Sequence, residues 1–185
     1  MGIFHNGPDF QCGIKKSILT SNMKKTGIIF FGVFISLAAS RLVPHPPNFT
    51  SLIALSFYIP ALLGIRYLPF VILSFAITDL IIGYHSGTHW TWGSVFLIGL
   101  ISHYFNKNVF YRMSGALLGA GIFFIVTNFG VWISGVHNYS ADTQGLLSSY
   151  VFAIPFFSYS LISTLLFSTL IELVTKIYSK LVVVK

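Results

Sequence analysis

Charge is what this sequence has least of. Asp and Glu together number four in 185 residues, and charged residues of both signs make up only 8%. A water-soluble domain carries about 25%, so a chain this poor in charge could not cover its own surface in water. Cysteine is nearly missing too. Cys12 stands alone, which excludes an internal disulfide and a cysteine-built metal site. No basic run with interleaved aromatics occurs, so the net charge of +7 does not read as affinity for nucleic acid. The chain holds no Gly-rich phosphate loop and no zinc-protease pattern of His and Glu. No Ser-His-Asp set is argued by spacing. Nothing marks the chain as an enzyme, and no cofactor is implied.

What is present is apolar. Hydrophobic residues are 55% of the chain and the mean hydropathy is +0.81. Nineteen Phe, nine Tyr and three Trp suit a surface facing lipid and the membrane interface. A helix needs about 20 apolar residues to cross the hydrocarbon. Six apolar segments come near that length, at about Thr26–Val43, Ser51–Ile65, Tyr67–Gly83, Thr91–Phe105, Met113–Gly135 and Leu146–Ile177. The fold class expected is therefore all-α, a polytopic membrane helix bundle of about six spans within residues 26–178. Segments two and four are short. Pro60, Pro69 and Pro155 lie inside apolar runs, which a span tolerates when neighbouring helices satisfy the freed carbonyls. Polar breaks separate the segments, as at Pro44–Asn48 and His137–Asp142.

Both ends are basic. Residues 1–25 read as a cytoplasmic tail, or in part as an upstream start-site extension, because Met23-Lys24-Lys25 is a natural beginning for a membrane protein. Lys24-Lys25 followed by an apolar stretch and Leu37–Ser40 also resembles a cleavable secretory signal. The polar Arg41–Asn48 segment right after it reads better as part of the working structure. Residues 179–185 read as a basic cytoplasmic C-terminus.

Lys and Arg prefer the cytoplasmic side of short loops. With six spans and both termini inside, ten of the eleven basic residues fall on that side, and only Arg41 falls outside. The expected location is thus a bacterial inner membrane. The same arrangement gathers chemistry on the outer face. His45 falls in the first outer loop, His85 and His89 in the second, His137 and Asp142 in the third. Asp79 sits one turn below the second.

An ionisable group inside a span costs about 2.5–3.5 kcal/mol on insertion scales. Asp79 therefore needs a partner or an aqueous cavity, and Arg41 matches it in charge and depth. One reading is an outward-opening polar cavity; the other is an Arg41–Asp79 clamp that locks two helices. The two are compatible. Arg41, His45, Asn48, Asp79, His85, Asn128 and Trp132 are the expected substrate-binding residues. His45, His85 and His89 are the candidates for a metal, since neutral imidazole is a common ligand. The His85-x-x-x-His89 spacing would align two rings on a helix, but Ser86 and Gly87 make a helix doubtful there. Trp90, Trp92 and Trp132 read either as interface aromatics or as a stacking surface for a flat ligand. The small-residue series Gly32-x-x-x-Ser36-x-x-x-Ser40 and Gly115-x-x-x-Gly119 allow close helix approach, within the bundle or against a partner subunit.

Three strings carry a family resemblance: Arg41-Leu42-Val43-Pro44-His45-Pro46-Pro47-Asn48-Phe49-Thr50, Asp79-Leu80-Ile81-Ile82-Gly83-Tyr84-His85 and Thr127-Asn128-Phe129-Gly130-Val131-Trp132. Through them the chain resembles, over about residues 26–175, a family of small bacterial membrane proteins of unknown function. That family is similar in size and span layout to the substrate-binding S components of energy-coupling factor transporters. The resemblance implies uptake of a small solute, a vitamin-like molecule or a metal. The implied partners are the lipid bilayer, a coupling transmembrane subunit and ATPases. The chain departs from those components in three places. The alanine-rich coupling motif is replaced by Gly32, Ser36 and Ser40, the N-terminal His of nickel and cobalt members is missing, and no outer loop carries a Cys. The alternative function is a non-transport structural or assembly protein.

Overall fold

A computed structural model describes residues 26–84, 87–135 and 137–183, the last three by backbone alone. The tail at 1–25 and His85 lie outside the described residues. Among those described, the regular elements are all helices. They are α1 (Thr26–Leu42), α2 (Leu52–Leu63), α3 (Leu68–Ile82), α4 (Thr88–Ile101), α5 (Val109–Ile133), α6 (Thr143–Val151) and α7 (Ile154–Val183). Short 3-10 turns at Ile65–Tyr67 and Ser102–Phe105 join α2 to α3 and extend α4.

The helix ends follow from local chemistry. Helix α1 stops just before Pro44, whose ring disfavours helical backbone at the preceding residue. The chain then turns through Asn48, held at φ 63°, a conformation that Asn tolerates. Gly64 and Gly83, at φ 102° and 123°, end α2 and α3. Pro69 and Pro155 stand at helix starts. Each is the second residue of its helix, in the first turn, where a missing N–H has no partner to lose. Only Pro60 lies well inside one.

Helix α2 is the axis of the bundle. Every residue from Leu52 to Tyr58 is buried, and α3, α4, α5 and α7 all pack against it. Phe57, Tyr58, Leu37, Val71, Val95 and Ile98 are fully enclosed. The small residues of α5 permit this. A Cβ on Gly115 would lie 2.5 Å from the Phe57 ring, and one on Gly119 would lie 3.1 Å from Ile98. On α1 the close approach uses hydroxyls instead. Ser40 Oγ and Ser51 Oγ are 2.8 Å apart, and Ser51 Oγ also donates to Ser36 O at 3.3 Å. A Cβ on Gly32 would meet nothing within 4 Å.

The outside of the bundle is apolar. Ile28, Phe31, Leu80, Phe110, Val174 and Ile177 are among many large hydrophobic side chains left exposed. That is far more apolar surface than a monomer in water tolerates, and it is what a helix bundle surrounded by lipid requires. Among the described residues, three helical stretches are long and apolar enough to cross a membrane: Ile65–Ile82, Val109–Ile133 and Ile154–Lys180. The second and fourth expected spans are short, 12 residues in α2 and 14 in α4. The sixth expected span, Leu146–Ile177, is not continuous. It divides at Phe152-Ala153 into α6 and α7. Pro155 has no N–H to offer the Val151 carbonyl, so the ladder opens there. At nine residues, α6 reaches only about 14 Å.

Candidate functional site

The last turns of α1 and α3 meet at one end of the bundle. Arg41 Nη2 donates to Asp79 Oδ1 at 2.5 Å, and Arg41 Nη1 donates to Thr78 Oγ1. Thr78 passes its own proton to Phe75 O at 2.8 Å. The second carboxylate oxygen of Asp79 accepts from Trp92 Nε1 at 2.7 Å. The guanidinium carbon lies 4.6 Å over the Phe75 ring, a cation–π distance. Asp79 is 1% exposed. A buried carboxylate is tolerated only when paired and hydrogen-bonded, and here each oxygen has a donor.

Two cavities open beside this clamp. The smaller, of about 220 Å³, is lined by Arg41, His45, Asn48, Thr91 and Phe123, with further apolar side chains. The larger, of about 480 Å³, is lined by Asn128, Thr127, His137 and Ser160 among a wall of aromatic rings. Asn48, Thr91 and Phe123 border both, so the two lie side by side against the α1–α2 connection, α4 and α5. The break between α6 and α7 supplies the far wall of the larger through Ser149, Phe152, Phe156 and Phe157. Helix α6 is held at that wall by its cap. Asp142 Oδ1 accepts from Ser140 Oγ at 2.6 Å and from Gly145 N–H at 2.8 Å. These bonds, the Ser140 hydroxyl first, hold the exposed Asp142 carboxyl below the usual carboxylate range.

Several polar groups in this space keep spare hydrogen-bonding capacity. His45 Nδ1 donates to Pro46 O at 2.7 Å, which leaves Nε2 of the neutral ring as an acceptor. Asn128 Nδ2 donates to Phe124 O at 2.7 Å, so its carbonyl oxygen remains available. Asn48 contributes its backbone carbonyl to Ser163 Oγ at 3.5 Å and borders the space with its side chain.

Of the residues singled out by sequence, Arg41, His45 and Asn48 line the smaller cavity, and Asn48 and Asn128 line the larger. Asp79 lines neither cavity; it is sealed behind Arg41. Trp132 is placed elsewhere, with Nε1 donating to Ser140 O at 3.0 Å and its ring 5.6 Å from Phe129. His89 is exposed, its ring 5.3 Å from that of Trp90. Among the described residues, no group of three or more His, Cys, Asp or Glu side chains comes together.

Sequence reasoning missed Thr91, Thr127, Ser149, Ser160 and the Phe wall. Single hydroxyls in apolar runs carry no pattern of their own, and Phe is everywhere in this chain. It also missed the second ion pair. Arg112 on α5 was read only as a topology signal and Glu172 on α7 was given no role. They form a bidentate pair, Nε to Oε1 and Nη2 to Oε2, both at 2.7 Å. In the antiparallel course of α5 and α7 this pair lies at the opposite end of the bundle from Asn128 and Ser160.

The chain belongs to a family of unknown function, DUF6580, whose model matches residues 21–182. No curated protein and no solved structure matches it significantly.

Proposed function

We propose that this member of a family without assigned activity binds a small solute in the adjoining cavities and serves in its uptake across a bacterial inner membrane. The observation that carries the reading is the shared border at Asn48, Thr91 and Phe123. It sets the two cavities side by side and brings Arg41, His45, Asn48 and Asn128 to them from separate segments. The larger cavity falls in the size range of small-molecule sites, about 300–1,000 Å³, and its lining of apolar rings with a few polar groups is of that kind. The positive-inside pattern supports six crossings, with both termini in the cytoplasm and the cavities facing out.

The lining also speaks to the ligand. It offers amides, hydroxyls, two imidazoles and aromatic rings. Its only guanidinium is already matched by Asp79. That suits an uncharged, partly aromatic molecule of vitamin-like size better than a metal ion. A role like that of S components, with a coupling subunit and ATPases, belongs to the same reading and rests on span layout.

Mass spectrometry of the detergent-purified protein under native conditions tests it. A co-purifying small molecule is expected, lost in Asn128→Ala and in Asn48→Ala while the fold persists. A folded protein that carries nothing, and whose melting is unmoved by any of a panel of vitamin-like solutes, sinks the reading. The rival, a protein whose polar groups only staple helices, is favoured by one observation. Every donor and acceptor of the Arg41–Asp79 clamp described above is turned inward.

A further inference from the structure

Four residues apart along α7 stand Ser160, Thr164, Ser168 and Glu172. Side chains at that spacing share a helix face, so they form one polar stripe that winds gently along the helix. Its first member lines the larger cavity. Its last pairs with Arg112. The three hydroxyl residues are essentially fully buried, and the stripe covers about 18 Å at 1.5 Å per residue.

Serine and threonine inside membrane helices usually bond to a carbonyl of their own helix, and Ser160 does so, to Phe156 O at 3.1 Å. Thr164 and Ser168 do not. Their hydroxyls are buried without a partner, and so is the hydroxyl of Tyr58, which reaches in from α2 beside Ser168 and Glu172. Three unpartnered buried hydroxyls in one line are unusual. Such groups are ordinarily satisfied by internal water.

We propose that this stripe is a proton path from the cavity to Glu172. The inference deepens the uptake reading, on which the role of the cavity as the mouth of the path rests. Each hydroxyl both accepts and donates, so Ser160, Thr164, Ser168 and Tyr58, bridged by water, can pass a proton along while each is left as it began. The proton ends on a carboxylate oxygen of Glu172, which turns from anion to neutral acid. Arg112 then loses its charged partner, and its Nη1 already lies 3.4 Å from Asn106 O, an alternative acceptor. Release to water on the far side returns Glu172 to its pair. The groups facing Glu172 are Arg112 from α5 and Tyr58 from α2, with Lys176 one turn further on α7.

The full chain in lipid vesicles, with no solute added, is followed by infrared difference spectroscopy across an acid step. A protonated-carboxyl band is expected that vanishes in Glu172→Gln. After a photoreleased proton pulse its rise should slow about tenfold in Ser168→Ala and in Thr164→Val, as losing one bridging hydroxyl implies. Glu172→Gln strands Arg112; if it fails to fold, Arg112→Gln/Glu172→Gln takes its place. The proposal falls if no Glu172-dependent band appears while the protein stays folded, or if both hydroxyl variants protonate as fast as the native chain. No solute enters this readout, so an empty cavity leaves it standing, and Asn128→Ala should not alter the band.

Discussion

The two ends of the bundle hold the same chemistry in opposite states of completion. At the cavity end, Asp79 is closed off behind Arg41, whose own side chain borders the smaller cavity. Thr78, Phe75 and Trp92 take up the remaining contacts, and the Asp79 side chain is 2% exposed. At the other end, Arg112 and Glu172 are joined by two good bonds, but Glu172 is 11% exposed and unpartnered hydroxyls stand beside it. The contrast shows that an ion pair in a membrane helix is not one kind of object. With every lone pair answered it fixes geometry. With neighbours left unanswered it keeps the capacity to change.

The sharpest way to break this comparison is to remove one acid at each end. Asp79→Ala leaves the part-buried Arg41 guanidinium unpaired, which costs about 3 kcal/mol, the low end for a broken buried pair. Glu172→Ala should cost less, because Arg112 has Asn106 O and the bundle edge nearby. Reversible unfolding in mild detergent measures both. Adding Arg41→Ala to the first variant should recover part of the loss. Equal losses at the two ends would erase the distinction.

A smaller effect sharpens it from the other side. Trp92→Phe keeps the ring but deletes the N–H that Asp79 Oδ2 accepts. Leaving that charged oxygen unsatisfied should cost about 1–3 kcal/mol, read in the same unfolding experiment. The clamp would then resemble the unfinished pair. A loss near zero would mean that water replaces the indole, and that the cavity end is wetter than its contacts indicate.

The smallest effect concerns the third carboxylate, Asp142, which lies in water and caps α6. Its folded value is lowered relative to the unfolded chain. Its contribution is therefore fully present above the ordinary carboxylate value and disappears as pH falls through the lowered one. Hydrogen exchange at the Gly145 amide should quicken relative to neighbouring amides in that acid window. Asp142→Asn should remove this pH dependence while keeping the cap.

Much of the molecule was legible from residues alone. The scarcity of charge made the exposed surface apolar, and Pro44, Gly64 and Gly83 ended helices where local backbone rules require. The Arg41–Asp79 pairing followed from the cost of leaving either charge alone in lipid. Hydropathy also gave the length of the last apolar run. It could not reveal the break at Phe152-Ala153, because Pro155 reads as apolar and a split helix has the same composition as a whole one. The far wall of the larger cavity depends on that break, so that part of the lining was invisible. Asp79 shows the converse limit. Sequence placed it beside Arg41 and also in the cavity, and only packing decided that it faces Arg41 and Trp92 rather than the open space.

The sequence by itself thus determined that this chain is a charge-poor helix bundle suited to lipid, with Arg41 and Asp79 obliged to meet. Tertiary structure alone decided that Asn48, Thr91 and Phe123 border two cavities at once, that Arg112 finds Glu172 sixty residues away, and that Tyr58 comes in beside Ser168 and Glu172. The reason is physical. Burial energy is local and additive along the chain, whereas a cavity or a pair exists only once helices distant in sequence have packed side by side.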